Sequence, residues 1–144
     1  MRFLLAFWLL IAAFAGTAAA QDRVFGLTSK DAAAIKDVIQ RQIAAFGRDD
    51  AAGAFALATP GIRRTFGSAE TFVAMVQSGY MAVYRPREVE FRALLTDGGR
   101  FVQTVLVVGP DGVAQLAHYP MQRQADGSWL IDGCWLAPAP DAST

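Results

Sequence analysis

The chain has 144 residues, with 13 basic and 13 acidic side chains, one histidine and one cysteine. This length fits one domain, and the largest basic groups, Arg63-Arg64 and Arg85-Pro86-Arg87, are too small to form the basic face that a nucleic-acid partner needs. A single cysteine excludes an internal disulfide, and one histidine beside it falls short of a closed zinc site, so we predict no metal and no other cofactor.

The first twenty residues have the pattern of a secretory signal peptide. Arg2 precedes an uninterrupted apolar run from Phe3 to Ala15, and Ala18-Ala19-Ala20 is a small-residue cleavage site. The run is shorter than the roughly 17–25 residues that span a bilayer core, which disfavours the alternative of a retained anchor. We therefore predict cleavage after Ala20, no stable membrane insertion afterwards, and a periplasmic or secreted protein.

The mature chain is predicted to be a single domain with short flanks. Residues 21–27 have no clear period and are predicted to be a lead-in, and residues 138–144 form a flexible tail. The domain itself spans residues 28–137. Removal of Arg2 with the leader brings the net charge of the mature chain, residues 21–144, close to −1.

Three helices are predicted in the first half of the domain. The first spans about 30–46, because Thr28 or Ser29 can cap it and apolar residues recur at helical spacing up to Phe46. Gln42 lies on or beside this apolar stripe, either at its edge or facing a cavity. Shorter helices follow at 51–58 and from Ser68 to about Ser78, with one irregular turn over 62–66.

From Glu88 the hydrophobic period changes from helical to alternating. Val89, Phe91, Ala93 and Leu95 share one face of a first strand. Three glycine-containing turns then separate strands at 101–108, 113–124 and 128–136. We predict an α+β fold, in which about three N-terminal helices pack on a curved four-stranded antiparallel meander with an inner pocket.

Several segments carry a resemblance to a known superfamily. They are Ile43-Ala44-Ala45-Phe46, Ala56-Leu57-Ala58-Thr59-Pro60, Tyr80, Tyr84-Arg85-Pro86 and the stretch from Asp126 to Cys134. Their order and spacing resemble the nuclear-transport-factor-2-like superfamily, and more narrowly a small secreted bacterial branch known only as a domain of unknown function. The resemblance covers most of residues 28–137 and implies a cone of curved sheet around the first helix, with a pocket inside.

The superfamily contains steroid isomerases, cyclases and dehydratases as well as non-catalytic binding modules, so the resemblance does not choose among them. An isomerase of that type needs a carboxylate base inside the cone. Glu88 and Glu90 share the charged face of the first strand, and alternation points Asp132 away from the core. A lyase or isomerase that uses the pocket is therefore the alternative rather than our first expectation.

His118 and Cys134 are the other catalytic candidates, because a cysteine beside a histidine can form a reactive ion pair. A three-residue loop at Ala125-Asp126-Gly127 places them directly opposite each other, on the outer face of the sheet. A two-residue loop instead places His118 opposite Trp135. A bulge at Pro120 or Gly133 would change the face of every later residue.

Residues with an apolar body and a polar tip are the candidates for the pocket wall. They are Gln42, Tyr80, Tyr84, Tyr119 and Trp129, with Arg85 available for an anionic ligand. The second strand is apolar on both faces, which suggests a sheet-to-sheet homodimer. We expect a non-catalytic domain that binds a small apolar or anionic ligand or an envelope partner.

Overall fold

The computed structural model describes residues 23–24 and 26–140. The predicted signal peptide and the end of the predicted tail lie outside these residues. Five helices occupy the first half of this part of the chain: α1 (Ser29–Gly47), α2 (Ala51–Ala56), α3 (Pro60–Phe66), α4 (Ala69–Gly79) and α5 (Met81–Tyr84). None of the described helices has the length and apolar character needed to cross a membrane.

The helix boundaries follow from capping residues in the sequence. Thr28 caps α1 in a capping box with Asp31, in which each side chain accepts a hydrogen bond from the other residue's backbone N–H. Asp50 and Ser68 cap α2 and α4 through N–H groups three residues on. The segment predicted as an irregular turn is the regular helix α3, because Thr59 caps it and Pro60 occupies its first turn.

The second half forms an antiparallel sheet of β3 (Glu88–Asp97), β4 (Arg100–Val108), β5 (Ala114–Arg123), β6 (Trp129–Ile131) and β7 (Trp135–Pro138). The order is β3-β4-β5-β6, and β7 also pairs with β5. The sheet is therefore the predicted meander, with its last strand divided into two. A small hairpin of β1 (Arg23–Val24) and β2 (Leu27–Thr28) lies in the predicted lead-in and at the start of the domain.

A bulge in β3 corrects the predicted alternation. Phe91 lies opposite Val105, but Leu94 lies opposite Gln103, so two residues of β3 face one residue of β4. The side chain of Gln103 is buried and donates to the carbonyl of Arg92 in the bulge at 2.8 Å. After this point Leu94 faces the helices, and Leu95, predicted to face inward, is 46% exposed on the outer face.

A second irregularity divides the last strand. Met121 lies opposite Ile131, as the three-residue loop predicts. Further along β5, however, His118 lies opposite Trp135, one residue later than the same register would give. The extra residue falls in the segment from Asp132 to Cys134, where Gly133 has φ +143°, a conformation that side chains rarely adopt. This bulge turns Cys134 toward the inside of the fold.

The hydrophobic core lies between the helices and the inner face of the sheet. Ile35, Ile39 and Phe46 of α1 are almost completely buried, as are Val105 and Tyr119 of the sheet. The apolar stripe predicted for the first helix is thus the surface that covers the sheet.

Candidate functional site

A cavity of about 230 Å³ lies within this core, between the helices and the sheet. Helices α1, α3, α4 and α5 supply most of its lining, and β5, β6 and the bulge after β6 supply the rest. The lining is mainly apolar and includes Phe46, Phe66, Phe72, Met75, Val76 and Val83. An apolar cavity with a few polar groups is the usual form of a small-molecule site.

Phe72 organises the aromatic part of the wall. Its ring lies 6.0 Å from that of Phe46 and 5.5 Å from that of Phe66, centroid to centroid, in tilted and edge-on arrangements that aromatic pairs prefer. These rings come from three helices, so their mutual packing holds the helices at the distances that leave the cavity open.

The mouth lies where the lining residues keep some solvent exposure. Ile62, Met75 and Tyr80 on the helices are half-buried, as are Gly133 and Cys134 on the sheet side. A backbone hydrogen bond connects the start of α3 to β6 beside this mouth, in which Thr59 N–H donates to the carbonyl of Ile131 at 2.9 Å. The opening therefore lies between α3, the end of α4 and the bulge.

Gln42 lines the cavity from α1 and is 97% buried, since its exposed fraction is 3%. Its side-chain N–H donates to the carbonyl of Ala54 at 3.1 Å. Because a carbonyl only accepts, this bond fixes the amide orientation and leaves Oε1 as a free acceptor. Of the two readings of Gln42 from the sequence, the structure thus favours a polar group at a cavity over one at the helix edge.

Tyr119 is the central polar residue of the sheet wall. Its side chain is fully buried, and among the described residues its hydroxyl has no hydrogen-bond partner. Burial raises the pKa of this phenol well above its ordinary value, with a further contribution from the neighbouring Cys134 thiol. Tyr119 is therefore a neutral donor that the fold itself does not satisfy.

Cys134 lies beside Tyr119 in the same wall. The residue as a whole is partly exposed, but burial of its thiol raises the thiol pKa to about 12, while the Tyr119 hydroxyl acts in the opposite direction. The sulfur is therefore protonated at neutral pH. A thiolate nucleophile needs the reverse arrangement, a partly exposed and electropositive surrounding that lowers the pKa.

His118 does not meet Cys134; of the two registers that the sequence left open, the structure has the one with His118 opposite Trp135. It lies on the outer face of the sheet, where its ring stacks on that of Trp135 with centroids 5.1 Å apart. Its Nδ1 lies 3.3 Å from the Thr104 hydroxyl. The cause is the bulge at Gly133, which moves Trp135 into the position opposite His118 and turns Cys134 inward. The predicted homodimer would use this outer face and stays a prediction.

Tyr84 and Arg85 lie away from the cavity, at the end of α1. The Tyr84 hydroxyl and the Arg85 guanidinium both bind Asp49 Oδ1 at 2.6 Å, and Arg85 also donates to the carbonyl of Phe46. Asp49 has the uncommon φ of +56° at the turn that ends α1, so these contacts stabilise a turn. Arg85 is consequently not available to bind an anion in the cavity.

Trp129 faces the core but lies at another end of the sheet. Its indole N–H donates to Asp31 Oδ1 at 3.3 Å, and Arg123 pairs with the same oxygen at 2.6 Å. A surface groove of about 390 Å³ runs past Trp129. Its volume is larger than that of the inner cavity, but Arg123, one of its charged lining residues, is already paired with Asp31, so it is the weaker candidate for a ligand site.

Tyr80, Gln42, Tyr119 and Cys134 are thus the predicted residues that the structure brings together at one cavity. The apolar lining of the cavity was not predicted from the sequence, above all Phe66, Phe72 and Met75. Phe72 and Val76 recur at one helical spacing on α4, which signals a buried face but does not distinguish a filled core from a hollow one.

No charged side chain is among the 14 residues that line the cavity. Across the described part of the chain, no group of three or more His, Cys, Asp or Glu side chains is arranged to hold a metal ion. The chemistry that this site offers is therefore apolar contact and neutral hydrogen bonding.

Comparison with known proteins gives one match. The family described as "Domain of unknown function (DUF4864)" matches residues 28–144, which is most of the chain. No curated protein and no solved structure matches significantly. The matched region begins at Thr28, the cap of α1, and takes in every element that lines the cavity. The chain belongs to the DUF4864 family.

Proposed function

We propose that this chain is an exported, non-catalytic domain with a nuclear-transport-factor-2-like fold, and that its inner cavity binds a small, mainly apolar molecule. The observation that carries the proposal is the partly open, mainly apolar cavity of about 230 Å³, whose wall includes Tyr119 with a buried hydroxyl that has no partner among the described residues. An apolar cavity of about 150 Å³ is already large enough to bind benzene. The volume suits a molecule with one ring and a short substituent.

The position of the cavity supports the assignment to this superfamily. A long first helix lies across a curved antiparallel sheet, and the cavity lies between them. This is the arrangement that the sequence resemblance implies. The fold alone selects no activity.

The lining of the cavity favours binding over catalysis. The isomerase-type mechanism needs a carboxylate that removes a proton, together with donors for the developing oxyanion. Tyr119 could act as such a donor, but no Asp, Glu or His is among the lining residues. The alternative of a His/Cys enzyme loses its geometric basis, because His118 and Cys134 lie on opposite faces of the sheet.

Binding can be tested with ethylbenzene, an uncharged apolar molecule of suitable size, followed by NMR titration of the full chain. We expect saturable shifts of the methyl signals of Val76, Val83 and Ile131, which line the cavity. Met75→Trp should weaken binding by about tenfold or more, since the larger ring would fill the mouth. Met75 is half-buried at that mouth.

Ala74→Trp is the matched control. Ala74 precedes Met75 on the same helix but is exposed to solvent, so the same bulky ring would lie outside the cavity. This variant should bind ethylbenzene as the parent does. Absence of saturable binding by the parent, or equal affinity in both tryptophan variants, would contradict the proposed function.

Export is tested separately by the N-terminal residue of the protein after expression of the full chain in a bacterial host. Cleavage after Ala20 gives a chain that begins at Gln21, as the leader pattern predicts. Mass spectrometry of the protein from the periplasm or medium should find this N-terminus. A cell-associated chain that retains residues 1–20 would contradict export by cleavage.

A further inference from the structure

The polar groups of the cavity define which ligand it can accept. Gln42 contributes a carbonyl oxygen, and Tyr119 and Cys134 contribute neutral O–H and S–H groups. An ionised ligand would lose its hydration here without meeting an opposite charge, and such burial of an unpaired charge is strongly unfavourable.

The cation that the sequence offers for an anionic ligand, Arg85, is already used. Arg85 is bound to Asp49 and to the carbonyl of Phe46, and its charge lies over the ring of Tyr84 at 4.4 Å. Moving this side chain to the cavity would remove the salt bridge of Asp49 and leave it only the hydrogen bond from Tyr84. The anionic ligand allowed by the sequence is therefore disfavoured.

The hydroxyl of Tyr119 is the one buried donor in the cavity wall, among the described residues, that lacks a partner. A buried hydroxyl without a hydrogen bond is unfavourable, and a ligand that accepts a hydrogen bond from it removes this penalty on binding. The hydroxyl has almost no surface open to the cavity, so a ligand oxygen reaches it only after the neighbouring Cys134 thiol turns aside. Its displacement costs little, because a thiol is a weak hydrogen-bonding group.

Building on the binding function proposed above, we propose that the ligand is uncharged and presents one hydrogen-bond acceptor, a carbonyl or hydroxyl oxygen, to the Tyr119 hydroxyl. The remainder of the ligand is apolar and contacts the aromatic wall of Phe46, Phe66 and Phe72. A small aromatic ketone or alcohol has this chemistry.

Three probes of similar size separate the parts of the proposal: acetophenone has an acceptor, ethylbenzene has none, and benzoate carries a charge. Their dissociation constants are measured by NMR titration on the full chain and on Tyr119→Phe, which removes one oxygen and keeps the ring. In the variant, the affinity for acetophenone relative to ethylbenzene should fall about tenfold, the scale of one neutral hydrogen bond. The ratio cancels differences in probe hydration and in the stability of the two proteins.

Tyr84→Phe provides the matched control, because it removes a hydroxyl that binds Asp49 outside the cavity. It should leave the acetophenone to ethylbenzene ratio within about twofold of the parent. Benzoate should bind the parent at least about tenfold more weakly than acetophenone at neutral pH.

The outcomes that overturn the proposal are distinct. An acetophenone to ethylbenzene affinity ratio that does not change in Tyr119→Phe would exclude a hydrogen bond from Tyr119 to the ligand. Ethylbenzene binding would still support the cavity function in that case. Benzoate binding as tight as that of acetophenone would exclude an uncharged ligand class. If none of the three probes bound, the cavity function and this inference would both fail.

Discussion

On the inner face of the sheet Tyr119 is fully buried and the Cys134 thiol is held neutral, and both border a cavity. On the outer face His118 is half-buried, stacks on Trp135 and faces the Thr104 hydroxyl. Neighbours along the chain, such as His118 and Tyr119, thus lie in opposite environments.

The chemical environment of a residue in this sheet therefore depends on which face its side chain lies on, and not on how rare that residue is in the sequence. The single histidine and single cysteine attract attention in the sequence, but one extra residue at Gly133 separates them. The inner face combines apolar walls with neutral polar groups, and among the described residues the Tyr119 hydroxyl there has no partner. The outer face carries a stacked pair in which His118 Nδ1 lies 3.3 Å from the Thr104 hydroxyl.

Thiol reactivity should separate the two faces most strongly. With a pKa of about 12 the Cys134 thiolate is scarce at neutral pH and becomes abundant only as the pH rises toward that value. Alkylation of Cys134 at about pH 8 should therefore be at least a hundredfold slower than that of an ordinary exposed thiol. Mass spectrometry of iodoacetamide-treated protein measures the rate.

The double variant Cys134→Ala, Trp135→Cys is the matched comparison, since it moves the thiol one position along the chain to the outer face. Trp135 is 40% exposed, so the new thiol should react at the ordinary rate. Equal alkylation rates for the two proteins would mean that the two positions do not differ in environment, which would contradict the difference between the inner and outer faces.

Gly133→Ala should disturb the bulge that creates the difference between the faces. At φ +143° an added Cβ is strained, and it would also lie 3.4 Å from Pro120 Cγ. We expect the free energy of unfolding to fall by about 1–3 kcal/mol, measured by urea denaturation.

Gly47→Ala serves as its control, because Gly47 ends α1 and an added Cβ there has nothing within 4 Å. Its free energy of unfolding should stay within about 0.5 kcal/mol of the parent. A stable Gly133→Ala protein would show that the bulge does not depend on glycine.

Asp31→Ala tests how α1 is fixed to the inner face. The Thr28 backbone N–H, together with the Thr28 hydroxyl, Trp129 and Arg123, lowers the pKa of Asp31 to about 2. Because this pKa lies below that of an unfolded aspartate, the stabilisation exists above about pH 4 and is lost as the pH falls toward about 2. At neutral pH the variant should lose about 1–2 kcal/mol of stability.

Asp37→Ala changes the same residue type further along α1, where its contact with Arg41 is exposed to solvent. It should cost no more than about 0.5 kcal/mol. Urea denaturation at neutral and acidic pH should show the deficit of Asp31→Ala shrinking as the pH falls. A deficit that is constant with pH would contradict the role of the ionised carboxylate.

Two tyrosine variants should have small effects of opposite sign. Tyr119→Phe removes a buried hydroxyl without a partner and should raise the free energy of unfolding by about 1 kcal/mol. Tyr84→Phe removes the hydrogen bond to Asp49 and should lower it by about the same amount. Thermal and urea denaturation measure both, and a destabilised Tyr119→Phe protein would show that its hydroxyl is satisfied in solution.

The sequence predicted the α+β architecture, because helical periodicity and alternation leave clear signals in residues such as Ile35, Ile39 and Phe91. It missed α3, since a seven-residue helix begun by Thr59 and Pro60 resembles a turn when its apolar residues are few. Three of the pocket candidates, Gln42, Tyr80 and Tyr119, line the cavity and could be selected because each combines an apolar body with a polar group.

The register beyond Ile131 could not be predicted. Loop chemistry determines the pairing up to that residue, but a bulge depends on whether the folded sheet accommodates an extra residue. Whether the core is filled or hollow depends on how the volumes of Phe66, Phe72 and Met75 fit together, and that is a property of the packed structure. Arg85, selected for its charge, is engaged by Asp49 from a distant part of the chain.

The most direct test of the account is the location of bound ethylbenzene, determined from intermolecular NOEs on the full chain. If the ligand lies in the cavity, we expect NOEs from the ring protons of ethylbenzene to methyl groups of Val76, Val83 and Ile131, which line it. NOEs to Leu95 and Trp135 on the outer face, or no intermolecular NOEs at saturating ethylbenzene, would contradict it.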